Sequence, residues 1–195
     1  MKQVRRHFTK EISEGILEGR ITQMRSFVDV GKDVNVDELD IKLILDANWH
    51  FVIRSNNGMW QNTEFNINDR LYFSQSYRMC FEELLKRVDD VALQEDFRKF
   101  IPFIPDVLKE VTHCVSIKNV GLERLQDISY EDCMAEGIIR VEKEYCYACN
   151  DGPVKKYYAF PTPRKAYAAF INHCRGEGTW ERNPYVVVYE FKLID

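Results

Sequence analysis

From Tyr185 to Leu193 the chain places Tyr185, Val187, Tyr189, Phe191 and Leu193 at every second position. A period of two over nine residues matches a strand, whose side chains alternate between faces, and not a helix. Such a strand, long and apolar on one side, predicts a sheet with a substantial core beneath it. A second segment predicts how the chain reaches that sheet. Gly15-Ile-Leu-Glu-Gly-Arg-Ile-Thr-Gln-Met-Arg25 reads as the end of a short helix, a glycine stop at Gly19 and a strand carrying Thr22 and Arg25.

The remaining punctuation is consistent with that scheme. Gln3 to Phe8 reads as a first strand, and Thr9 caps a helix carrying Ile12, Ile16 and Leu17. Ile41 to Ile53 supplies one or two strands before the Ser55-Asn56-Asn57-Gly58 turn. Asn68-Asp69 turns into Arg70-Leu71-Tyr72-Phe73, and Val111, His113, Val115 and Ile117 alternate again. Ser129 opens a short helix that ends at Gly137, Ile138 to Ala148 is strand-like, and Thr162-Pro163 opens a helix that ends at Gly176. That last helix carries Tyr167, Phe170, Ile171 and Cys174 on one face. Phe81, Leu84, Leu85 and Val88 show helical spacing. Strands and helices intermingle without regular beta-alpha-beta alternation, which predicts a mixed α+β domain on a small, mostly antiparallel sheet or barrel.

A chain of 195 residues with 45% apolar and 30% charged residues is one ordinary domain with a normal core. The net charge of −4 argues against a protein that coats polyanions, but a local patch suffices for a nucleotide or an RNA end. No stretch has the roughly 18 apolar residues of a membrane helix. The basic Met1–Lys10 segment is followed by no apolar run, so a cytoplasmic protein with reduced cysteines is expected. The acids between Asp29 and Asp40 read as a solvated loop.

These segments resemble the ASCH domain family, of PUA-like β-barrel fold, and most closely its bacterial and prophage branch. Three stretches carry the likeness: Gly15–Arg25, Glu123–Ile138, and Thr162 through Gly178-Thr-Trp-Glu-Arg-Asn-Pro to Lys192. The resemblance implies one PUA-like domain over 1–195, with a helical insertion at about 78–105. Some members of the family are amidohydrolases of acylated cytidine nucleosides that use a lysine, a threonine and a glutamate; others are linked to RNA. In this chain the glutamate falls on Glu136, the candidate catalytic residue, whereas the lysine and threonine positions hold Ile21 and Met24. Isoleucine is no base, and a thioether is no oxygen nucleophile.

The expected function is therefore binding of a nucleoside, nucleotide or RNA at a barrel mouth without strong catalysis. The alternatives are a surviving amidohydrolase and a phage-related interaction module with a vestigial pocket. Arg25 and Arg70 are the candidate anion anchors, each able to grip phosphate or carboxylate with two N–H groups; the alternative is that they pair with Glu136 or neighbouring acids and brace the fold. Thr22 and Glu136 would read polar edges, and Trp180 would stack. Lys155 and Lys156, interleaved with Tyr157, Tyr158 and Phe160, are the candidate nucleic-acid contacts. Cys146-x-x-Cys149 has half the spacing of a zinc site, with His173-Cys174 as the other half. No second CxxC exists, and His173 and Cys174 diverge by roughly 100° on a helix, so no metal and no cofactor is expected.

Overall fold

The computed structural model describes residues 1–30, 38–47, 50–76, 91, 95, 99, 110–149 and 156–194. The insertion expected at 78–105 falls almost wholly outside them, as do its helix and Lys155; side chains of Cys149 and Lys156 also lie outside.

Eleven strands are described: β1 (Gln3–Arg5), β2 (Gln23–Phe27), β3 (Ile41–Leu45), β4 (Phe51–Ser55), β5 (Trp60–Asn62), β6 (Arg70–Ser76), β7 (Glu110–Arg124), β8 (Ile139–Val141), β9 (Glu144–Cys149), β10 (Lys156–Phe160) and β11 (Tyr185–Leu193). Four α-helices have their bounds among the described residues: α1 (Lys10–Leu17), α2 (Tyr130–Ala135), α3 (Pro163–Arg175) and α4 (Thr179–Arg182). The molecule is mixed α+β, and among the described residues every strand pairing is antiparallel except that of β1 with β6.

The strands form three ladders: a five-stranded sheet in the order β1-β6-β7-β11-β2 and three-stranded sheets β10-β9-β8 and β3-β4-β5. Among the described residues no pairing joins the edges β1 and β2, so the enclosure expected of a barrel is not one continuous ladder. Sheet β3-β4-β5 instead lays Ile41 and Ile53 against the core of the large sheet. The strand-like run from Ile138 to Ala148 is two strands, split at Glu142 (φ 53°) by a two-residue hairpin that pairs Val141 with Glu144.

The alternation of β11 separates two cores. Val187, Tyr189 and Phe191 enter one, with Leu71, Phe73, Val115, Ile117 and Ile16. Val186 and Val188 enter the other, with Cys133 of α2, Tyr147 of β9, Tyr167 and Ile171 of α3, and Ile128 and Ile138 from the segments flanking α2. Each such side chain, fully removed from water, contributes on the order of 1.5–3 kcal/mol.

Local chemistry ends the helices where expected. Thr9 Oγ1 accepts from Ile12 N–H at 3.4 Å and Thr162 Oγ1 from Lys165 N–H at 3.3 Å. Gly19, Gly137 and Gly176 take φ of 71°, 105° and 99°, a region open to glycine at little cost. Cys174, expected on the core face of α3, is exposed, because the buried face of the helix closes at Ile171. No described helix is long and apolar enough to cross a membrane.

Candidate functional site

Thr22 joins three elements through its main chain. Its N–H donates to Ala135 O at 3.0 Å, at the end of α2, and its carbonyl accepts from Phe191 N–H of β11 at 2.8 Å. The Thr22 side chain is exposed. The tie brings the C-terminus of α2, where Glu136 is the capping residue, against the start of β2. From that strand Gln23, Arg25 and Phe27 face the second core, and Met24 faces the first.

Arg25 and Glu136 thus meet directly. The Arg25 side chain is 1% exposed, and its Nη1 donates to Glu136 Oε1. Its Nε and Nη2 both donate to Glu123 Oε1, at 3.0 and 2.6 Å, from β7 across Val186 and Val188. Asp132 Oδ2 stands 3.6 Å from Nη2, and Asp132 Oδ1 accepts from Gln23 Nε2 at 2.7 Å. Tyr167 of α3 donates its hydroxyl to Glu136 Oε2 at 2.6 Å. One guanidinium is therefore ringed by three carboxylates. Glu136 is buried, while Glu123 and Asp132 keep 27% and 28% of their side chains exposed.

The charges respond to these surroundings. Burial pulls the Arg25 pKa down, but Glu136 and Glu123 outweigh it, so the guanidinium is held still more firmly protonated than usual. Burial raises the Glu136 carboxyl above its ordinary range, against the pull of Arg25 and Tyr167. The Tyr167 phenol goes well above its usual value through burial and the adjacent Glu136. Asp132 is desolvated too, yet the Ser129 and Gln23 hydrogen bonds and the Arg25 charge prevail and lower it. Burial pushes the Cys133 thiol up to about 12, so it is no ready nucleophile.

Neither residue expected at a hydrolase position makes a polar contact with Glu136, whose partners are Arg25 and Tyr167. Ile21 is 6% exposed and wedged between glycines: a Cβ built on Gly15 would lie 2.6 Å from its Cδ1, and one on Gly137 3.2 Å. Met24 points to the other face of β2 from Arg25 and Glu136.

Arg70 stands apart from this cluster. It opens β6, and β7 and β11 lie between that strand and β2; its N–H donates to Lys2 O at 2.9 Å. Trp180 lies next to the cluster. Half-buried on α4, it packs edge-on against Tyr167 with ring centroids 6.2 Å apart, and the Arg164 guanidinium sits 5.3 Å from its ring centre. Tyr158 stacks on Tyr147 at 5.3 Å, and Tyr157 is 54% exposed on the other face of β10. Cys146 is buried within β9, and His173 sits on α3 with its ring 6.3 Å from that of Tyr147. Among the described residues no three His, Cys, Asp or Glu are placed to hold a metal ion.

Glu123, Asp132, Gln23 and Tyr167 are the members absent from the site candidates read in the sequence. Tyr167 reads as core by helical spacing and is core, but its hydroxyl is placed by tertiary contact alone. A separate cavity of about 500 Å³ lies among Lys2, Asp46, His50, Asn62, Glu64 and Asp69.

No protein-family model matches the chain, and no curated protein matches it in sequence. A comparison of folds returns the crystal structure of an ASCH domain from Lactobacillus crispatus JV V101, similar over 98% of this chain and 79% of that one, at 11% identity and a TM-score of 0.40. A likeness so shallow has no bearing on ligand or activity.

Proposed function

We propose that the protein is a binding module for nucleosides or single-stranded RNA, and that it offers carboxylate acceptors, not a free arginine, to a base. The observation that carries this reading is the saturation of Arg25. All three of its nitrogens already donate to carboxylates, and one positive charge faces three negative ones. A phosphate approaching this rim would meet net repulsion, whereas amino and imino groups of a base would meet acceptors.

Glu123 and Asp132 are the groups in reach of solvent. Among the described residues no hydrogen bond occupies Glu123 Oε2. A carboxylate suits the paired N1–H and N2–H donors of guanine and the single amino group of cytosine. The edge of uracil, with one donor between two acceptors, suits it poorly. Trp180 is the stacking candidate on the Tyr167 side. Catalysis has no evident agent in this cluster: Cys133 is protonated, Met24 faces away, and both oxygens of Glu136 are engaged.

Thermal shift with the four ribonucleosides and their 5′-monophosphates tests the reading. Guanosine and cytidine should stabilise the protein, by about 2.7 kcal/mol at a hundred times the dissociation constant. Uridine should do less, a 5′-phosphate should weaken binding, and Glu123→Gln should remove the effect. Binding that requires the phosphate, or hydrolysis of an acylated cytidine that Glu136→Gln abolishes, would overturn it.

A further inference from the structure

Sheet β3-β4-β5 packs on the opposite core from the Arg25 cluster. Its cross-strand register aligns Lys42 with Arg54 and Arg54 with Trp60, so these three residues form one rung across all three strands. Ile41 and Ile53, their chain neighbours, are buried in the first core. The pleat therefore turns the rung outward.

All three residues of the rung are exposed, with 68% of the Lys42 side chain and 54% of Trp60 open to solvent. The Arg54 guanidinium lies 5.9 Å from the Trp60 ring centre. Lys42 Nζ pairs with Asp40 Oδ2 at 2.8 Å. Asp40 is itself fixed by Asn56, which donates its N–H to Asp40 O at 3.1 Å and accepts from Asp40 N–H at 3.3 Å. On the next rung, Ile44, Val52 and Asn62, Val52 is fully buried, so the outer face is open at the Lys42–Arg54–Trp60 end.

We infer that this rung is a contact site for single-stranded nucleic acid, in which Trp60 stacks on a base while Arg54 and Lys42 pair with the flanking backbone phosphates. An exposed indole accepts any base, because every base has a π face, and two cations within about 10 Å on neighbouring strands match a chain of phosphates. The ladder holds the three residues in place before a strand arrives. The Lys42–Asp40 pair is a surface ion pair, which opens at little cost. Asp40 thereby acts as a competitor of the phosphate and keeps the contact weak and salt-sensitive.

Fluorescence anisotropy with a labelled oligoadenylate of about ten nucleotides decides the matter. The wild-type protein should bind more weakly as salt rises. Trp60→Ala should weaken binding about fivefold or more, with Trp60→Phe retaining most of it. Arg54→Ala and Lys42→Ala should each flatten the salt slope by about 0.7, and Asp40→Asn should tighten binding. All four positions are exposed, and circular dichroism checks that each variant is folded. The proposal fails if the oligonucleotide does not bind, if Trp60→Ala leaves its affinity unchanged, if duplex binds as well as single strand, or if a soluble glucan is what Trp60 holds. The site is separate from the Arg25 cluster: in a Glu123→Gln background Trp60→Ala should still weaken oligoadenylate binding about fivefold or more, so a failure at one site is read apart from a failure at the other.

Discussion

Tyr167 donates its hydroxyl to Glu136 Oε2 at 2.6 Å, while Arg25 takes the other oxygen of the same carboxylate. A buried carboxylate is thus held from two elements, α3 and β2, that are far apart in the chain. The pair of contacts explains how a charged glutamate sits next to Cys133 and Ile138 in an apolar core.

Removing the Tyr167 hydroxyl alone should be measurable. Tyr167→Phe leaves the ring packing against Phe170 and Trp180 in place but deletes a hydrogen bond to a charged acceptor, at a cost of about 1.5–3 kcal/mol. Urea denaturation should show the loss with an unchanged slope. Tyr167→Ala should cost about 3–5 kcal/mol, since a cavity is added.

Arg25→Met should destabilise more than Tyr167→Phe, by about 3–5 kcal/mol, because Glu136 is left charged, buried and without its cation. Glu136→Gln in that background should recover a large part of the loss. A double-mutant cycle on the two positions measures the coupling; independent effects would contradict the pairing.

The pH dependence follows from two opposite shifts. Glu136 is raised above its ordinary 4.5, so between that value and its folded one the native chain holds a proton that the unfolded chain has released. Its contribution is full below 4.5 and is lost as pH rises through the folded value. Asp132, lowered from 3.8, contributes above that value and loses its contribution as pH falls through the folded one. Urea midpoints from mildly acidic to neutral pH should show a decline that Glu136→Gln flattens, and Asp132→Asn should flatten the loss on the acid side.

Thiol chemistry should separate two cysteines. Cys133 is buried, with its pKa pushed up to about 12, and Cys174 is exposed. Iodoacetamide at mildly alkaline pH, read by peptide mass spectrometry, should label Cys174 and spare Cys133 until the protein is unfolded.

Gly15→Ala should destabilise despite the better helix propensity of alanine, which is worth about 1 kcal/mol. Its Cβ would meet Ile21 Cγ1 and Cδ1 at 2.6 Å, an overpacking that costs about 1–3 kcal/mol. Ile21→Ala should make the glycine substitution tolerable, and thermal unfolding of the four proteins gives the coupling.

The local elements were legible in the residues, because their signals act over one or two turns: Thr9 and Thr162 as caps, Gly137 and Gly176 as helix ends, and the alternation of Tyr185 to Leu193 as a strand with an apolar face. The sequence also placed Glu136 at a helix end and Arg25 on a strand, two residues that meet in the folded chain. The folded chain alone shows that Arg25 is closed off by Glu123, Asp132 and Glu136, that two strands separate Arg70 from it, and that Met24 turns its back on the carboxylate. Those outcomes rest on strand order and on which side of the pleat a residue takes. One step along a strand reverses the face, and no local pattern records which strands will be neighbours.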